Sequence, residues 1–129
     1  MSWEYEIETG KMFDPSGALV GTGYAGGDEG RSPIGTNNPD MQNVKGVGPL
    51  PCGLYTFATP IPQSHLGPFA IPLIPDPKNE MFGRGSFYCH GDTVPSGKAS
   101  EGCIIQNRST RNAMWASTDH TLIVRLENA

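Results

Sequence analysis

The chain has no run of lysine or arginine: Arg108 and Arg111 are its densest basic pair, and the net charge is −4. Phosphate neutralisation needs a clustered basic face, so no nucleic-acid partner is expected. No apolar stretch approaches the roughly 18 residues of a membrane-span candidate. The N-terminus carries Glu4, Glu6 and Glu8, where an export signal would be basic and then apolar. Synthesis in the cytoplasm without a Sec-type signal is the expectation. Cysteine is scarce and odd in number: Cys52, Cys89 and Cys103. A full disulfide framework is thereby excluded. Cys52 and Cys89 either pair in an oxidising compartment or remain two small buried thiols. His90, Cys103 and His120 are ligand types, but no Cys-x-x-Cys, His-x-x-x-His or His-Glu-x-x-His spacing occurs, so no metal is expected. No phosphate-cradling glycine loop followed by Lys and Ser/Thr occurs either, and no cofactor is expected.

What the chain has in excess is Gly (17) and Pro (12), which favours short strands and tight turns over long helices. The length suits one domain, 1–129, with a core that needs no staples. Trp3, Tyr5 and Ile7 alternate with Glu4, Glu6 and Glu8, the period of a half-buried strand. Turns at Thr9-Gly10-Lys11 and Asp14-Pro15-Ser16-Gly17 and a strand over 18–24 complete an opening meander. Residues 25–49 read as a long functional loop, a rim or lid. Leu54–Phe57 resumes a strand that Pro60 and Pro62 break, and Phe69–Ile74 forms another, with Pro72 implying an edge or a bulge. A strand follows at Phe87–His90, then a polar loop over Asp92–Ala99. Ser109 or Thr110 caps a short helix over Arg111–Ala116, and Thr121–Leu126 closes the chain as a strand. The fold class is mainly β, a sandwich or barrel with one short helix.

The chemistry gathers in two stretches. Ser86-Phe87-Tyr88-Cys89-His90-Gly91-Asp92 ends a strand, and Ser100-Glu101-Gly102-Cys103-Ile104-Ile105 enters one. His90 and Cys103 lie thirteen positions apart (103 − 90). A thiol with an imidazole is a minimal activated nucleophile, which points to acyl transfer. Cys103 is the candidate nucleophile and His90 the base. On a strand, His90 and Tyr88 share one face while Cys89 and Phe87 share the other, which favours Cys103 over Cys89. Gly102 leaves room for a substrate carbonyl, and the N–H groups of Gly102 and Cys103 are candidate oxyanion donors. Ser100 braces the turn or joins that donor set. Asp92, after Gly91, orients a nearby donor or holds the loop. Glu101 opposes thiolate formation if it faces the sulfur, so it points away or contacts a substrate amine. Arg84 is either a carboxylate clamp or a solvated loop residue. Tyr88 lines the pocket or packs. His65 and His120 read as ordinary surface groups.

His90-Gly91 followed by Ser100-Glu101-Gly102-Cys103 resembles the signature of the L,D-transpeptidases, bacterial cysteine enzymes that remodel peptidoglycan. His90-Gly91-Asp92 and Ser100–Ile104 are closer still to the branch delivered as antibacterial effectors by type VI secretion. The similarity includes Trp3-x-Tyr5, Gly23-Tyr24, Asn38-Pro39, Gly48-Pro49-Leu50-Pro51 and Gly83-Arg84. The resemblance implies an L,D-transpeptidase-like β fold with the cysteine in a cleft, and a peptidoglycan stem tetrapeptide as substrate. It implies expulsion of the terminal D-Ala through a Cys thioester, resolved by an amine, by water or by a free D-amino acid. It further implies action in the periplasm of a target bacterium, secretion machinery as a partner, and a cognate immunity protein. Gly91, Asp92, Arg84, Tyr88 and Glu101 are the candidate substrate-binding residues. Two departures stand out. Glu101 replaces the broader family's histidine before Gly-Cys, and Ile104-Ile105-Gln106 follows the cysteine where an Arg is usual. Arg108, Arg111 or Arg84 would then have to supply that Arg's contacts.

Two other classes compete. Papain-like hydrolases run Cys before His, the reverse order, and caspase-like ones separate His and Cys by about 50 residues. A non-catalytic wall-binding module fits a loop-rich β domain without an obvious charged relay.

Overall fold

Alternating apolar and acidic residues start the chain as a strand, and short strands between Gly- and Pro-bearing turns continue it. The computed structural model describes residues 2–127. Its strands are β1 (Trp3–Glu6), β2 (Lys11–Phe13), β3 (Leu19–Thr22), β4 (Tyr24–Ala25), β5 (Gly53–Phe57), β6 (Ile61–Ser64), β7 (Gly67–Pro75), β8 (Phe87–His90), β9 (Ile104–Ile105) and β10 (Thr121–Arg125). The α-helix α1 (Arg108–Ala116) lies between β9 and β10. The fold is mainly β, as composition and turn density require.

One sheet runs β3-β2-β1-β10-β5-β7-β8-β9-β4, with β6 added to β7. The two ends of that path, β3 and β4, are halves of one chain segment interrupted at Gly23. That segment pairs with β2 through one half and with β9 through the other, which nearly closes the sheet into a barrel. Gly23 is needed at the break. Its N–H donates to the Gly10 carbonyl at 2.8 Å, and a Cβ there would run into the Ile105 carbonyl oxygen. Trp3, Tyr5, Met12, Tyr55, Ile71, Leu73, Ile104 and Leu122 fill the interior, and Met114 of α1 joins them. Burial of each large side chain is worth about 1.5–3 kcal/mol, which sets the scale of the core's contribution.

Four expectations need correction. Glu6 is 8% exposed rather than solvent-facing. It stands opposite Arg125 where β1 and β10 run parallel, and Arg125 Nη1 donates to it at 2.9 Å. Burial alone would raise its carboxyl pKa, but hydrogen bonds from Thr9 and Arg125 outweigh it and hold the group below the usual range. The proline-bearing segment Ile61–Ser64 is a strand, because β6 pairs on one side only and Pro62 lacks no needed donor there. Pro72 lies inside the sheet, not at an edge. It falls where β7 exchanges β5 for β6, and its carbonyl accepts from Ala58 N–H at 3.0 Å. The helix starts earlier than expected. Asn107 caps it, accepting from Thr110 N–H at 2.8 Å through Oδ1. Of the two alternatives for Cys52 and Cys89, free thiols hold: Cys89 is buried, Cys52 is half-buried, and Cys103, also half-buried, is free as well.

Candidate active site

Strands β8 and β9 run parallel, with Cys89 beside Ile104 and His90 beside Ile105. This pairing brings the two halves of the sequence signature together, since Cys103 immediately precedes β9. Cys103, His90, Tyr88, Arg84 and Glu101 line one groove of about 560 Å³. Cys89 lies on the other face of β8, with no exposed surface, inside the core. Burial pushes its thiol up to about 12. A shallower hollow of about 690 Å³, between the β2–β3 turn and the end of α1, has Trp3, Asp14 and Asp119 on its wall and no cysteine or histidine. The groove, though smaller, is the one that holds the candidate thiol and imidazole.

His90 is 3% exposed and sits at the groove floor. Its Nδ1 is 3.0 Å from the Gly91 carbonyl oxygen. A carbonyl only accepts, so Nδ1 carries the proton and Nε2 keeps its lone pair. Burial lowers the imidazole pKa, and the Gly91 carbonyl opposes that shift. Arg111 and His65 lower it further, while Asp92 raises it. At neutral pH the ring is an uncharged base.

The sulfur is equally uncharged at rest. Burial pushes the Cys103 thiol up to about 11. Backbone hydrogen bonds from Tyr88 and from Cys103 itself favour the thiolate, as does the Arg84 charge, whereas Glu101 opposes it. Among the described residues no hydrogen bond joins the His90 ring to the Cys103 sulfur. The two groups are a thiol and a neutral imidazole lining one groove, not a preformed ion pair.

The turn before Cys103 is built around one hydroxyl. Ser100 is fully buried. Its Oγ accepts from Gly26 N–H at 2.8 Å and from Gly102 N–H at 3.0 Å, and donates to the Cys103 carbonyl at 2.6 Å. Ser100 is thus the brace of the turn. The Gly102 N–H is taken by Ser100 and is not a free oxyanion donor. Gly102 is required for another reason than substrate access. Its φ is +140°, and a Cβ would lie 2.6 Å from Arg84 Nη2 and 2.9 Å from the Phe87 ring.

Arg84 is neither a solvated loop residue nor an open clamp. It is 7% exposed. Nη1 donates to the carbonyls of Gln42 and Pro49 at 2.7 and 2.9 Å, and Nη2 to those of Gly48 and Glu101 at 2.9 and 3.3 Å. The guanidinium ties the 42–49 turn to the turn before Cys103. Asp92 holds the loop after β8 and is not on the groove wall. It accepts from Tyr24 Oη at 2.6 Å, Ser96 Oγ at 2.7 Å and Thr93 N–H at 2.8 Å. Gly91 serves His90 through its carbonyl, and a Cβ there would come 2.9 Å from Arg111 Nη2. Arg111 itself bonds the carbonyls of Gln106, Pro68 and Phe69, which binds α1 to β7 behind His90. Arg108 lies over the Phe69 ring at 4.6 Å.

Three ionisable groove residues were not legible as site residues in the sequence. Glu29 and Lys45 come from the 25–49 loop, which forms part of the groove wall as a rim. His65 comes from the β6–β7 turn and also lines the groove. Only the length of that loop signalled the first two, and His65 had no signal, since β6 itself was hidden by its proline. His120 is not a plain surface group: it stacks on Trp115 with centroids 4.1 Å apart, and its Nε2 is 3.0 Å from the Trp115 carbonyl.

No curated protein matches this chain. A family model, the Tlde1 domain, matches residues 22–125, a span that includes the whole groove. With that match over most of its length, and with the paired strands that carry His90 and Cys103 inside it, the chain belongs to the Tlde1 domain family of type VI secretion effectors.

Proposed function

We propose that this protein is a peptidoglycan-modifying cysteine enzyme that releases or exchanges the terminal D-Ala of stem tetrapeptides. The observation that carries the reading is the shared groove of Cys103 and His90, with Nδ1 occupied and Nε2 left as the acceptor. Family membership is compatible with it.

The neutral resting pair dictates the order of proton movements. Nε2 of His90 takes the thiol proton as the sulfur bonds to the carbonyl carbon ahead of D-Ala. Negative charge passes to the carbonyl oxygen, and the N–H groups of Tyr88 and Cys103, already beside the sulfur, are the nearest backbone donors for it. Collapse breaks the C–N bond, and the imidazolium returns its proton to the leaving amine. A thioester and free D-Ala result. Water, a free D-amino acid or a side-chain amine then attacks the thioester with His90 again as base, and the sulfur leaves as a thiol. These outcomes are hydrolysis, exchange and cross-linking.

The setting for such a reaction is the periplasm of a target bacterium, reached through type VI secretion. No described helix is long and apolar enough to cross a membrane. An immunity protein that plugs the groove in the producing cell is part of this reading, and pull-down from that cell tests it. The activity test is incubation with disaccharide tetrapeptide, with and without an added D-amino acid, followed by mass spectrometry. The reading requires D-Ala release or exchange by the intact protein and none by Cys103→Ala or His90→Ala. Release by Cys103→Ala would refute it.

A further inference from the structure

We infer that Lys45 is the residue that reads the free carboxylate of the substrate's terminal amino acid. The inference rests on the proposed function and adds to it the origin of C-terminal specificity.

A groove that removes a terminal amino acid needs a cation for the carboxylate of that residue. Arg84 is the obvious one from sequence, yet its two Nη atoms already serve four backbone carbonyls. Arg31 is engaged with Asp28 at 3.0 Å, Glu29 at 3.2 Å and Glu101 at 3.8 Å. Lys45 lines the groove, is exposed, and has neither hydrogen bond nor ion pair among the described residues. Besides Arg84, the groove's other fully charged side chains are the carboxylates Glu29 and Glu101, whose sign repels an incoming anion. A substrate carboxylate therefore has one favourable direction.

Lys45 is also placed, not merely present. It sits in the turn closed by Val47 N–H and Gly48 N–H on the Val44 carbonyl at 3.2 and 3.0 Å. Three of the four Arg84 hydrogen bonds go to residues flanking that turn, namely Gln42, Gly48 and Pro49. The fourth goes to Glu101, two residues from the nucleophile. Arg84 thus fixes the distance between the reacting sulfur and the turn that presents the ammonium. Arg84 is the positioning residue and Lys45 the specificity residue. A Lys ammonium is a compact point charge on a flexible stem, suited to a carboxylate that must leave with the product.

The test separates binding from turnover. In the Cys103→Ala background, calorimetry measures the affinity for disaccharide tetrapeptide and for the same ligand with a C-terminal carboxamide. The acid is expected to bind about ten-fold more tightly, the scale of one charge-assisted hydrogen bond in a partly wet groove. Adding Lys45→Gln should remove that preference while leaving carboxamide affinity unchanged. Lys45→Arg should retain most of it, and 1 M salt should shrink it. In the otherwise wild-type enzyme, Lys45→Gln should raise KM for the acid with little change in kcat. An acid-to-amide ratio unaltered by Lys45→Gln, equal weakening of both ligands, or no binding of either would overturn the inference. Absence of D-Ala release by the wild-type protein, with the binding preference intact, would instead sink the proposed reaction and leave the Lys45 assignment standing.

Discussion

Replacing Ser100 by alanine removes one hydroxyl and leaves three backbone groups without partners. The N–H groups of Gly26 and Gly102 lose their acceptor, and the Cys103 carbonyl loses its donor. Ser100 has no exposed surface, so water has no path to replace the hydroxyl without opening the turn. At about 1 kcal/mol net for each buried hydrogen bond, the loss comes to about 3 kcal/mol. A domain of this size has a total stability of about 5–15 kcal/mol, so the variant should still fold. Its melting temperature should fall by about 10 °C, at roughly 3–4 °C per kcal/mol. Urea titration provides the measurement: the midpoint should drop with the slope unchanged. Under the proposed function turnover should fall as well, because the same hydroxyl fixes the Cys103 carbonyl. A destabilisation below about 1 kcal/mol together with loss of turnover would refute the brace, since the hydroxyl would then be acting on the substrate instead.

Gly102→Ala places a Cβ 2.6 Å from Arg84 Nη2 at a φ of +140°, and should cost about 2–4 kcal/mol by thermal melt and unseat the Arg84 bonds. Asn107→Ala removes the α1 cap and should cost about 1 kcal/mol by the same measurement, with little change in turnover. With His90 as the proposed base, active only when neutral and with its pKa lowered by burial, kcat/KM should fall only as pH drops below the ordinary imidazole value of about 6.5, with a flat profile from there to pH 9. The Cys103 thiol at about 11 should make iodoacetamide alkylation rise about ten-fold per pH unit between pH 7 and 10; a plateau at neutral pH would mean that a thiolate is already present.

The residues written in a local pattern were readable. Alternation in 3–7 gave β1, β-branched residues gave β10, and the His90-Gly91 and Ser100–Cys103 stretches led to the groove that both side chains line. What depended on partners far along the chain was not readable. Glu6 looks solvent-facing until Arg125, 119 residues away, arrives beside it. Arg84 looks like a free clamp until the carbonyls of the 42–49 turn close around it. Gly102 looks like an opening for substrate, whereas its positive φ and the Arg84 guanidinium are what forbid a side chain. Pro62 and Pro72 mislead alone, because their missing donors matter only relative to strands paired with them. Lys45 and His65 carry no motif; only the folded loop and hairpin bring them to the sulfur's groove.

Intact-protein mass spectrometry during a single turnover with disaccharide tetrapeptide tests the central claim most directly. The account predicts a transient adduct equal to the substrate less D-Ala, mapped by digestion to Cys103, absent from Cys103→Ala and not formed by His90→Ala. Release of D-Ala with no adduct at any time, or an adduct on Cys52, would contradict it.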